Sequence, residues 1–110
     1  MRLENKHKNV KYQNLGECYC NLTRELDSFI PEQKTKLKHY ILVDDWSLKN
    51  KCLPIRFPGG TIGGIWIDDN NVIKKIEVDT SYYIGKNYPS NINNILKKYI
   101  GEKVIIGENE

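Results

Sequence analysis

Thr61-Ile62-Gly63-Gly64-Ile65-Trp66-Ile67, then Asp68-Asp69-Asn70-Asn71, then Val72-Ile73-Lys74-Lys75-Ile76-Glu77-Val78-Asp79: two β-rich runs flank four polar residues. Branched and aromatic residues on either side of an Asx-rich turn predict a β-hairpin. Asn tolerates positive φ, so Asn70-Asn71 is read as the central pair of a type I′ turn. That register sets Ile65 opposite Ile76 on one face and Trp66 opposite Lys75 on the other. The first pair is core. The second predicts an exposed cation–π contact, on a face shared with Ile62, Ile73, Glu77 and Asp79.

Working outward, residues 52–57 predict a preceding strand, in which Pro54 calls for an edge position or a bulge. Pro58-Gly59-Gly60 then makes the turn. Residues 37–43 alternate as another strand and end in Asp44-Asp45. Earlier still, Leu15, Cys18, Tyr19, Leu22, Leu26, Phe29 and Ile30 recur at three- and four-residue intervals. That spacing predicts one helix with Asn14 as N-cap, Glu17 as capping-box partner and a stop at Pro31. Toward the C-terminus, Ser90 reads as an N-cap for a stripe of Ile92, Ile95, Leu96, Tyr99 and Ile100, closed by Gly101. Val104-Ile105-Ile106 is a last short strand. Residues 1–13 form a short strand or a loosely packed lead-in, and 107–110 a polar tail. The expected fold class is α+β: a small antiparallel β-sheet with an N-terminal and a C-terminal α-helix packed on one face, residues 1–110 forming a single domain.

Composition bounds the function. A chain of 110 residues, 39% hydrophobic and 28% charged, suits one globular core and is too apolar for a disordered segment. No apolar run approaches the roughly 18–20 residues that cross a bilayer, and residues 1–14 lack the apolar centre of a secretory signal. No membrane association and a cytoplasmic location are therefore expected. Seventeen Lys+Arg against fourteen Asp+Glu give +3, spread over both halves with no basic block. Only three of the seventeen are arginines, so direct nucleic-acid binding is not favoured. Cys18, Cys20 and Cys52 read as reduced thiols filling core. A zinc site from Cys18, Cys52 and His39 lacks ligand spacing, so no metal and no cofactor are expected.

Catalytic constellations are thin. The glycines at 59, 60, 63 and 64 lead into a strand and not into a helix N-terminus, which argues for a turn plus a bulge or a close neighbour, such as a partner chain, over a phosphate cradle. His39 with Lys38, Glu77 and Arg56 makes a ribonuclease only on paper. The acids are better organised: Asp44-Asp45 and Asp68-Asp69 fall at strand ends, and Glu77 and Asp79 lie on the outward face with Trp66. An aromatic anchor rimmed by carboxylates suits a basic protein partner. The candidate contacts are thus Asp44, Asp45, Trp66, Asp68, Asp69, Lys75, Glu77 and Asp79, with no catalytic residue among them.

From Leu53 to Val104 the chain resembles small immunity proteins of bacterial contact-dependent growth inhibition systems. The likeness rests on Pro54-Ile55-Arg56-Phe57-Pro58-Gly59-Gly60-Thr61, on Gly64-Ile65-Trp66-Ile67-Asp68 with its hairpin, and on Tyr88-Pro89-Ser90-Asn91-Ile92-Asn93 through Lys98-Tyr99-Ile100-Gly101. The resemblance implies a cytoplasmic, non-enzymatic bacterial protein that binds and neutralises the toxic C-terminal domain of a cognate effector, commonly a nuclease. Two alternatives stand beside it: a small basic ribonuclease or toxin component using His39, and a phage-encoded inhibitor of a host defence complex. Immunity proteins to basic nucleases are often acidic, and this chain departs from that pattern.

Overall fold

The computed structural model describes residues 1–5, 16–30 and 37–106. Seven strands, β1 (Arg2–Asn5), β2 (Gly16–Tyr19), β3 (Tyr40–Val43), β4 (Cys52–Phe57), β5 (Gly60–Ile67), β6 (Ile73–Val78) and β7 (Ile105–Ile106), form one sheet in the order β6-β5-β4-β3-β2-β1-β7. Every neighbouring pair is antiparallel except β1 with β7, where Arg2 pairs with Ile105 and Leu3 with Ile106 in parallel. Among the described residues three short helices join the sheet in an α+β domain: α1 (Asn21–Asp27), α2 (Asp45–Asn50) and α3 (Ile92–Leu96). Two 3-10 turns, Tyr83–Asn87 and Lys97–Tyr99, flank α3. The sheet is larger than expected, and α2 is an unforeseen third helix.

The hairpin register agrees with the sequence: Ile65 faces Ile76 and Trp66 faces Lys75. The turn itself differs. Only Asn71 is left-handed, at φ 63°. Asp68 Oδ1 accepts from the backbone N–H groups of Asn70 and Val72, at 2.8 and 3.0 Å. The register then shifts between Trp66 and Ile67, so Ile67 pairs with Ile73 and Lys74 is the extra residue. This bulge turns Ile73 inward to 1% exposure, and Ile62 is 3% exposed, so neither shares the face of Trp66.

The expected helix from residue 14 is two elements. Asn14 lies outside the described residues, and Glu17 pairs with Leu42 in the β2–β3 ladder. Cys18 and Cys20 are both fully buried on either side of Tyr19, a period-two pattern that becomes period four at Leu22 and Leu26. The switch sits at Cys20, the N-cap, whose N–H donates to Thr23 Oγ1 at 2.9 Å while that hydroxyl donates to the Cys20 carbonyl at 2.8 Å. Likewise Asn91, not Ser90, occupies the N-cap of α3, and Ile100 is exposed. Pro54 lies in an interior strand, yet the β3 ladder reaches only Arg56 and Ile55, so no β3 partner needs the missing N–H; the bulge between Ile55 and Arg56 is adjacent. At Gly63, a Cβ would collide with the Glu77 carbonyl oxygen, so the close neighbour is β6 itself.

Alternation along each strand divides the sheet into two faces. Leu3, Cys18, Ile41, Val43, Leu53, Ile55, Ile65 and Ile76 point to one, each at most 5% exposed, where they share a core with Leu22 and Leu26 of α1 and Ile92 and Leu96 of α3. Tyr19, Tyr40, Leu42, Pro54 and Trp66 point to the other and are only half-buried.

Candidate functional site

His39 precedes β3 and points into the core, completely buried. The Asp27 carboxylate at the end of α1 accepts from the His39 backbone N–H at 2.8 Å and from ring Nδ1 at 2.7 Å. With the proton on Nδ1, Nε2 accepts from the Tyr88 hydroxyl. Phe57 packs against the imidazole at 4.8 Å between centroids, and Phe29 meets Tyr88 edge-on at 6.2 Å. Both ring nitrogens are therefore spent within the fold, tying α1, β3 and the segment before α3 together. Lys38, offered beside His39 for acid–base work, is exposed with its ammonium 5.8 Å from the Tyr19 ring, and like Arg56 and Glu77 it lies on the sheet face away from His39. Cys18 faces the core and Cys52 the other side of the sheet beside Trp66, so the zinc constellation does not assemble. Burial, with a smaller contribution from Cys20, pushes the Cys18 thiol up to about 12.

The half-buried sheet face gathers the remaining chemistry. Cross-strand pairing sets Tyr40 beside Arg56, Cys52 beside Trp66, and Trp66 beside Lys75. The Lys75 ammonium stands over the Trp66 ring at 4.8 Å, and Glu77 Oε2 is 3.6 Å from that ammonium. Glu17 and Leu42 extend the surface toward β2. Nε of Arg56 is buried and has no hydrogen-bond partner among the described residues.

The aspartates have local duties. Asp44 caps α2: its carboxylate accepts from the Ser47 N–H at 2.8 Å, and its own N–H donates to Ser47 Oγ at 2.8 Å. Asp68 organises the hairpin, and the Val72 and Asn70 N–H bonds hold its carboxyl below the usual range. Asp79 accepts from the hydroxyl and N–H of Ser81, which lowers it too. Asp45 and Asp69 are exposed. The Ile67 N–H donates to the Lys51 carbonyl at 3.0 Å, so α2 and the 68–71 turn lie at one end of the sheet. That placement brings both acidic pairs to the end at which Trp66 sits, and leaves Asp79 at the far end of β6. Of the eight candidates, Lys75 meets both Trp66 and Glu77.

Several residues of these two places went unforeseen. Tyr40 and Leu42 carried a signal, since they alternate with buried Ile41 and Val43. Asp27 and Tyr88 carried none, because only the tertiary fold brings them to His39. Among the described residues, no helix is long and apolar enough to cross a membrane. No protein-family model, curated protein or solved structure matches this chain.

Proposed function

We propose that this chain is an immunity protein: a cytoplasmic bacterial binding module that neutralises the toxic C-terminal domain, a nuclease, of a cognate contact-dependent growth inhibition effector by occluding its active site. The observation that carries the reading is the sheet face left half-buried, where Trp66, Tyr19 and Tyr40 stand among Glu17, Arg56, Lys75 and Glu77. Aromatic anchors with a polar rim are the composition of an interface core. Strands at ~4.8 Å spacing and ~3.3 Å per residue give β2 through β6 a flat area of roughly 500 Å². A stable complex buries about 800 Å² on each partner, so the rim must join the contact. Asp44, Asp45, Asp68 and Asp69 supply such a rim at one end, with Asp79 at the other. A basic toxin surface would meet acids there even though the whole chain is +3.

The ribonuclease alternative loses its named acid–base residue, because His39 is buried with both nitrogens engaged. The phage-inhibitor alternative shares the same binding physics, and the identity of the partner separates the two. Co-purification with the protein encoded immediately upstream tests the proposal, and association weaker than micromolar sinks it. Expression of this chain alone should leave growth unaffected; growth arrest abolished by His39→Ala would establish the nuclease instead.

A further inference from the structure

The far edge of the Trp66 indole reaches back over Gly64: a Cβ at position 64 would meet Trp66 Cη2 at 3.1 Å and Cζ3 at 3.3 Å. The missing side chain is what lets the ring settle along its own strand. An aromatic held this way has little rotamer freedom left to lose when a partner arrives. The cation above it is held loosely by comparison. Lys75 and Glu77 side chains are 58% and 57% exposed, and the ammonium is met by a ring face and a carboxylate in open water. Both groups favour a cation whatever molecule carries it.

We infer that Trp66 and Glu77 form an acceptor for a cationic side chain of the partner protein, an arginine above all, and that Lys75 occupies this acceptor in the free protein and is displaced on binding. The inference rests on the reading of this face as the docking surface. A guanidinium is planar and weakly hydrated, so it can stack on the indole and pair with Glu77 together, which the compact lysine ammonium does less well. Release of Lys75 costs little, because its ammonium is already largely in water.

The test is an NMR titration of the full chain carrying Trp46→Phe, which leaves one indole N–H to observe. The probe is a blocked tri-arginine peptide, compared with blocked tri-glutamate and with a short oligothymidine. The arginine peptide should move the Trp66 indole resonance. Lys75→Gln should tighten its binding and Glu77→Gln weaken it, each by about two- to five-fold, the ratio a surface cation–π contact is worth. Preserved amide dispersion in each variant shows that the sheet is intact. An unmoved indole, an equal response to tri-glutamate, or weaker binding by Lys75→Gln overturns the inference. A response to oligothymidine without one to arginine overturns it too, and marks the ring as a base-stacking platform. If the upstream-encoded protein binds Trp66→Ala and Glu77→Gln as tightly as it binds the unaltered chain, this acceptor falls while the immunity reading stands; if it binds none of them while tri-arginine still moves the indole, the immunity reading falls alone.

Discussion

Replacing His39 by alanine should cost this domain a large part of its stability, and the amount follows from what the ring touches. Its Nδ1–Asp27 bond, 2.7 Å long and made to a carboxylate, belongs to a class worth about 1.5–3 kcal/mol. The bond from the hydroxyl of Tyr88, a residue only 7% exposed, adds roughly 0.5–1.5 kcal/mol. Removing a ring packed against Phe57 leaves a cavity costing about 1–2 kcal/mol more. Asp27, 20% exposed, regains some water, which trims the total to about 3–5 kcal/mol. Small domains are stable by about 5–15 kcal/mol in all, so the variant should sit close to its unfolding threshold. Urea unfolding followed by tryptophan fluorescence measures the loss, with an unchanged m-value as the sign that only stability moved. Tyr88→Phe alone should cost about 1 kcal/mol, and the double variant should cost less than the sum by a similar amount. A loss under about 1 kcal/mol for His39→Ala, or strict additivity with Tyr88→Phe, would refute the view that the triad is a structural tie.

Gly63→Ala should destabilise by about 2–3 kcal/mol through forced overpacking against the β6 backbone, whereas Gly60→Ala, with open space around its Cβ, should shift the urea midpoint hardly at all. Asn93 closes the outer edge of β6, accepting from the Val78 N–H at 2.8 Å and donating to its carbonyl at 3.1 Å. Asn93→Ala should cost about 1–2 kcal/mol and speed hydrogen exchange at the Val78 amide. In the native protein Cys52 should react with a thiol reagent while buried Cys18 and Cys20 wait for unfolding; equal labelling of all three would contradict their placement. Burial raises the Glu25 carboxyl, but the bonds from Lys98 at 2.7 Å and Tyr99 at 2.6 Å outweigh it and leave it below its ordinary 4.5. A depressed folded value stabilises above the unfolded one, so this contribution is full above pH 4.5 and fades as pH falls through the folded value. Stability curves of the native chain and Glu25→Gln should therefore converge on acidification, and parallel curves would remove Glu25 from that role.

The β4–β5–β6 meander was legible because its signals are local: alternating branched residues, a Pro-Gly turn, an Asx turn, and partners few positions apart. Even a wrong turn type did no harm there, since the Lys74 bulge restored the register by Trp66. The stretch around Cys18 misled because Leu15, Cys18, Tyr19 and Leu22 fit helical spacing as well as a strand leading into a helix. Pairing with β1 and β3 decides between them, and no local window contains that pairing. Helix α2 did have a local signature, Asp44 with Ser47 three positions on, which the acidic pair disguised as a strand end. At the candidate surface, Trp66, Lys75 and Glu77 followed from alternation alone. Tyr19, Tyr40 and Arg56 required the strand order.

The parallel ladder between β1 and β7 has a kinetic consequence. The meander can form hairpins across a few residues, on the timescale of microseconds, while Arg2 must find Ile105 across nearly the whole chain. During synthesis β1 can pair only with β2 until residues 105 and 106 have left the ribosome, and its outer edge stays open to other chains for that interval. Residues 105 and 106 thus complete the sheet, and the time before they arrive is the period in which its β1 edge is most exposed to misassembly.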